Sequence, residues 1–408
     1  MPRGAVFALL GILYWTTHSM LRPLIGTHVL SLGGSEAEAS IALASYSILP
    51  TLLAILVGAV ADRWGSRRLL TSGAVLMVVG SSLLWIPAFS AVIVSQVIIG
   101  MGTLAAWVSL QTFATRSQDE RETREQRNSR IATFSLFVAV GQSVGPALGG
   151  FLQELGGHRL AFGCYVVLAL ALACCAWGLA PREARVHSPS GRPLVRAYVD
   201  AAVLLRNRAV LATVIASFTS LMIFDIRSAW LPVLLHRAGL EQWQIGVALS
   251  AGAVAGFAAR PVFVPVLRRL GPSWMVACVM VLASAAITCV VISPGNFVYV
   301  LTMSAVSGFA VGFAQPLTLA LMADEVPTAQ LGLASGMRTM ANQSAQLVSP
   351  ALFGLVATLA TLGTAFLAVG GVAALTGLVS ASMLRRRGRT MLPERAGTSG
   401  LLEQVRNE

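Results

Sequence analysis

Twelve stretches of this 408-residue chain are each apolar over about the length needed to cross a bilayer. They fall at roughly 5–30, 40–61, 69–87, 91–115, 131–154, 160–180, 209–235, 244–267, 273–293, 297–322, 333–357 and 362–384. A hydrocarbon core of ~30 Å takes about 20 apolar residues of helix. Only helices satisfy their own backbone there without closing a barrel. The chain is therefore read as an all-α membrane protein with 12 transmembrane helices. Its 56% apolar and 11% charged residues agree, since soluble domains carry about a quarter charged residues. The first 30 residues lack a small-residue cleavage site and read as a retained helix rather than a signal peptide.

The charges set the expected orientation. All 29 basic residues are Arg, and there is no Lys. A Walker A loop and Schiff-base chemistry both need a Lys, so both are excluded. With the N-terminus inside, 23 Arg fall on cytoplasmic segments and only Arg159 and Arg237 on outside loops. Positive residues favour the cytoplasmic side, so both termini are expected in the cytoplasm, of a bacterial inner membrane. The net charge of +12 is thus a topology signal and not a nucleic-acid footprint. The five Cys lie within apolar runs without metal-ligand spacing, so no metal, no cofactor and no disulfide is expected.

The chain divides at a polar, Pro- and Arg-bearing stretch, 181–208, which reads as a cytoplasmic linker. It separates a bundle at 1–180 from one at 209–385, with a cytoplasmic tail at 386–408. The halves repeat: Gln142-Ser-Val-Gly-Pro-Ala-Leu-Gly-Gly150 in the fifth run matches Gln346-Leu-Val-Ser-Pro-Ala-Leu-Phe-Gly354 in the eleventh. Two pseudo-symmetric six-helix bundles are expected, with a substrate site between them.

Between the second and third runs lies Gly58-Ala-Val-Ala-Asp62-Arg63-Trp-Gly65-Ser-Arg67-Arg68. It is a short, charged, glycine-hinged hairpin, suited to a hinge. It resembles the loop signature of the major facilitator superfamily of secondary transporters, departing at Ser66, where Arg is more usual. The resemblance implies alternating access, with Asp62 meeting the positive N-terminus of the eleventh helix near Gly332. It also implies that Arg63, Arg67 and Arg68 pair acids such as Asp119 or Glu120. Arg338, about one turn from the cytoplasm, is placed with this gate and could pair with Asp324 or Glu325.

Gly141, Gly145, Pro146, Gly149 and Gly150 form a second element. Glycines at this spacing make a groove for a neighbouring helix, and Pro146 introduces a kink. The run resembles the antiporter motif of drug:proton exporters, although plain close packing would also use it. The same residues satisfy Gly-x-Ser-x-Gly, but an esterase elbow needs a strand-to-helix turn, which an apolar helix cannot supply. The fourth run departs from the exporters, with Gln96 where they usually carry Arg.

Charges inside spans are costly and are functional candidates by default. Arg22, Arg227, Arg260 and Arg338 qualify, with Asp225 the one deep acid and so the expected carrier of the coupling proton, His18 being the remaining titratable candidate if Asp225 is a fixed partner of an Arg. Tyr14, His18 and Arg22 share a face of the first helix, and the seventh helix should oppose it. Asp225 and Arg227 point in different directions on a regular helix, so only one can face that stripe unless the helix is broken. Arg338, Asn342 and Gln346 form a second stripe, and Trp107, Gln111 and Gln315 could wall the cavity. The expected function is proton-coupled export of a small, anionic organic molecule by a monomer in the lipid bilayer. Uptake of such an anion by symport is the alternative, and a membrane receptor or enzyme is the distant third.

Overall fold

The computed structural model describes residues 3–115, 124–180, 199, 202–326 and 331–390. The linker at 181–198, the tail from 391, and Asp119 and Glu120 lie outside the described residues. The first four helices are α1 (Arg3–Ser31), α2 (Glu36–Trp64), α3 (Ser66–Ser82) and α4 (Phe89–Thr115). The helical stretch Arg124–Leu179 leaves the helical region at Gly156 and Gly157, so it holds two spans, α5 up to 155 and α6 from 158. The second half has α7 (Arg208–Arg237), α8 (Gln242–Ala258), α9 (Phe263–Cys289), α10 (Phe297–Glu325), α11 (Leu331–Leu359) and α12 (Leu362–Thr390). Each corresponds to one of the apolar runs.

The packing repeats between halves. In the first, α1 packs on α5, α2 and α3 on α4, and α3 on α6. In the second, α7 packs on α11, α8 and α9 on α10, and α9 on α12. The halves meet chiefly through α2 against α11 and α5 against α8, which is one contact and its symmetry mate. Gly65 (φ 85°) before α3 and Gly271 (φ 72°) within α9 hold matching left-handed positions, which a side chain would strain. The faces turned away from both bundles carry exposed apolar side chains such as Trp64, Val79, Leu155 and Leu375, as lipid requires.

The eighth run departs from expectation. Pro261 disfavours helix at the residue before it, so α8 stops at Ala258 and a turn follows before α9. Arg260 therefore sits exposed in that turn, its guanidinium 5.4 Å from the Phe257 ring. It is not buried within a span. The sequence had placed it two turns inside because the apolar run continues to 267.

Candidate functional site

The site grows from α1. Tyr14, His18 and Arg22 stack one turn apart, with the Tyr14 and His18 rings 5.7 Å between centroids and nearly parallel. Trp107 of α4 continues the stack against Tyr14 at 5.9 Å. Arg22 faces α7, where its guanidinium forms an ion pair with Asp225; both are buried, at 7% and 0% exposure. Arg22 Nη2 also donates to the Gln346 backbone carbonyl at 3.4 Å. One cation of the first half is thus held by two helices of the second.

Both Asp225 and Arg227 are buried near this point, which a regular helix would not allow. The residues Ile226–Trp230 form a π-turn. Pro232 has no N–H, and its ring crowds the carbonyl four residues back, so the chain opens by one residue. That turn lets Asp225 reach Arg22 while Arg227 enters a different space. Arg227 lies where side chains on Gly252 and Gly308 would stand, between α8 and α10. Its Nη1 is buried without a protein partner.

A cavity lies between the halves, bounded by His18, Arg22, Gln142, Phe224, Arg227 and Ala253 among others. Arg22 and Arg227 give it two guanidinium groups, with His18, Ser19, Gln142 and Ser228 as its other polar walls and Phe224 and Leu249 among its apolar ones. Gln142 on α5 is the repeat mate of Gln346 on α11, so duplicated positions approach the centre from opposite sides. Among the described residues no cluster of His, Cys, Asp or Glu is arranged to hold a metal ion.

The α11 stripe is used one residue at a time, each toward a different helix. Arg338 Nη1 donates to Gln315 Oε1 of α10 at 2.7 Å. Asn342 Oδ1 accepts from Ser217 of α7 at 2.9 Å, and Gln346 Oε1 accepts from Ser47 of α2 at 3.5 Å. Gln315 is exposed and Gln111 half-buried, and neither is among the residues that bound the cavity at Arg22 and Arg227.

The glycines of α5 serve two neighbours. Side chains at Gly141 and Gly145 would strike Trp15, Thr16, Ser19 and Met20 of α1, and one at Gly149 would meet Met20. Gly150 instead faces α8, where a side chain would strike the Gln242 carbonyl. Ala147, just past Pro146, donates its N–H to Ser250 Oγ of α8 at 3.0 Å. At the end of the bundle away from the termini, Arg237 pairs with Glu36 and Gln242 N–H donates to Glu154 at 2.8 Å. That end is sealed by contacts across the halves.

The hairpin after α2 shows one partner that the sequence did not point to. Arg67 Nη2 donates to the Trp177 carbonyl, and its guanidinium lies 5.3 Å from the Trp177 ring. It is held by α6, where Trp177 stands at the matching depth of the neighbouring helix; the expected partners Asp119 and Glu120 lie outside the described residues. Arg68 is exposed. The side chains of Asp62 and Arg63 lie outside the described residues.

Three contributors were not singled out from sequence: Tyr46, Thr103 and Tyr165. Tyr46 hydroxyl lies 3.1 Å from His18 Nδ1 and 2.6 Å from Thr103 Oγ1, and Tyr14 hydroxyl donates to the Thr103 carbonyl at 3.1 Å. The available signal was rarity, since the chain has only five Tyr and three of them meet here.

The family model of the Major Facilitator Superfamily matches residues 7–272 and 243–405. An uncharacterised MFS-type transporter of Mycobacterium tuberculosis is 28% identical over 191 residues, covering 46% of this chain and 27% of that protein. The multi-drug resistance efflux pump PmrA of Streptococcus pneumoniae is 28% identical over 165 residues, covering 38% and 40%. The chain thus spans well under half the length of these relatives. Among solved structures, the nucleoside transporter NupG superposes with a TM-score of 0.75 at 15% identity, covering 94% of this chain and 99% of that one. The peptide transporter POT in complex with sulfate gives 0.75 at 18% identity, covering 95% and 96%. At such identities the likeness speaks for the fold.

Proposed function

Since this chain belongs to the Major Facilitator Superfamily, we propose that it is a proton-coupled exporter of a small organic molecule bearing an anionic group, working by alternating access. The observation that carries the substrate class is Arg227. A buried guanidinium beside a cavity, with no carboxylate partner among the described residues, favours a ligand that brings the negative charge. Arg22 is already matched by Asp225. An anion arriving at Arg227 would compete for Arg22 and loosen its hold on Asp225, and so on the second half. The Arg22–Asp225 pair then works as the latch that senses cargo.

The sealed end away from the termini is, on this reading, the outer face, consistent with the Arg distribution. Similarity to the pneumococcal efflux pump and the complete α5 glycine run support export. Gln96, in place of the usual Arg of exporters, favours the alternative of symport in the opposite direction.

The test is transport in proteoliposomes of defined orientation, using carboxyfluorescein as the anionic probe and rhodamine 123 as the cationic one. Acidic lumen facing the outer side should drive accumulation of the anionic dye there, and Arg227→Met should lower it at least tenfold. Accumulation of the cationic dye alone would overturn the substrate class, and movement of the anion along with protons would establish symport.

A further inference from the structure

A second, smaller chamber lies wholly within the first half, bounded by His18, Arg22, Tyr46, Gln96, Thr103 and Tyr165. It has room for about one water molecule and not for a substrate. Gln96 Nε2 and Tyr165 hydroxyl are buried in its wall without protein partners. Leaving such donors unmet is costly, and a water needs two to four polar partners to be held. His18 and Arg22 also bound the larger cavity. They are the partition between the two spaces.

The hydroxyl hydrogens assign the tautomer of His18. Thr103 Oγ1 donates to the Gly100 carbonyl at 2.9 Å, so it can only accept from Tyr46. Tyr46 spends its one hydrogen there and must accept from His18 at Nδ1. The orientation that satisfies every contact is Nδ1–H of His18 to Tyr46, Tyr46 to Thr103, and Thr103 to Gly100. His18 Nε2 is then an unprotonated acceptor on the partition.

From this we infer that His18 Nε2 is the seat of the coupling proton, reached through a buried water held by Gln96 and Tyr165, on a route separate from that of the substrate. This rests on the proton-coupled reading above. In the transfer, a hydronium in the chamber gives up one O–H hydrogen to Nε2, leaving water and an imidazolium. The groups facing His18 are Arg22 and Tyr14 on α1, Tyr46 on α2, Tyr165 on α6 and Arg227 on α7, with Asp225 behind Arg22. A free Arg22 opposes a charge on His18, and an Asp225-bound one opposes it less. A substrate anion beside Arg22 neutralises it likewise, so proton and cargo are linked through one partition.

The experiment needs no substrate. Full-length protein with ¹⁵N-labelled histidine is studied in nanodiscs by NMR, with His18→Gln identifying the signal. The expected result is the Nδ1–H form, with proton exchange to solvent slowed at least tenfold in Tyr165→Phe and in Gln96→Leu. Thermal stability of Tyr165→Phe, which removes a single oxygen, should stay near that of the parent and guards against a folding artefact. An Nε2–H form, or unchanged exchange in Tyr165→Phe, overturns the inference. Dye efflux indifferent to pH gradients would instead refute proton coupling itself, whatever the NMR shows.

Discussion

Replacing Asp225 by Asn should be among the costliest single changes to this chain, and the cost should come from Arg22. The pair is buried on both sides, 7% exposed for Arg22 and 0% for Asp225. Removing one member of such a pair leaves a charge in low dielectric, at about 3–5 kcal/mol. For helical bundles the size of these halves, each kcal/mol moves Tm by about 2–4 °C, so a fall of at least ~6 °C is expected. The pair also joins the halves, so a loss of 3 kcal/mol would shift the balance between closed and open forms by about 150-fold. Changing both residues, Arg22→Met with Asp225→Leu, removes the stranded charge and should recover most of the stability. The assay is thermal unfolding of the four purified proteins in one detergent, closed as a double-mutant cycle. The expected coupling is at least ~2 kcal/mol. If Asp225→Asn costs under ~1 kcal/mol, or the two changes simply add, the pair is not the buried latch described here.

Gly150→Val should splay α5 from α8, because its side chain would strike the Gln242 carbonyl. In a background without the five native Cys, cross-linking of Glu36→Cys to Arg237→Cys should then slow at least tenfold; an unchanged rate would show that the far end closes without that contact. Arg67→Ala removes an exposed cation–π contact with Trp177 worth about 0.5–1 kcal/mol, so Tm should fall by no more than ~4 °C, whereas a far larger fall would mean Arg67 holds something besides α6. Reporter fusions after residue 36 and after residue 190 should give opposite signals, and a cytoplasmic signal from both would overturn the topology.

Length and apolarity alone determine the helices, since lipid leaves the backbone no other open form; eight of the twelve runs agree with the observed helices to within about four residues at both ends. The misplaced boundary followed Pro261, where one ring outweighs a hydropathy average. The internal repeat foretold two bundles because duplicated helices reuse the same neighbours. Sequence also marked Arg22, Asp225 and His18 as costly in lipid, and spacing put Tyr14, His18 and Arg22 on one face.

Only the tertiary structure decided who meets whom. Periodicity describes one helix at a time, while the rotation of α7 relative to α1 depends on packing at every crossing. The π-turn at Ile226–Trp230 lay beyond periodic reasoning, because one added residue reorients Arg227 without altering the apolar pattern. Arg338 resting on Gln315 and Arg67 resting on Trp177 show the same limit: a charge declares that it needs a partner, and the fold chooses which. The Tyr46, Thr103 and Tyr165 cluster joins three helices far apart in the chain. A lone hydroxyl in an apolar run has no pattern to betray it, and its role exists only once those helices are packed together.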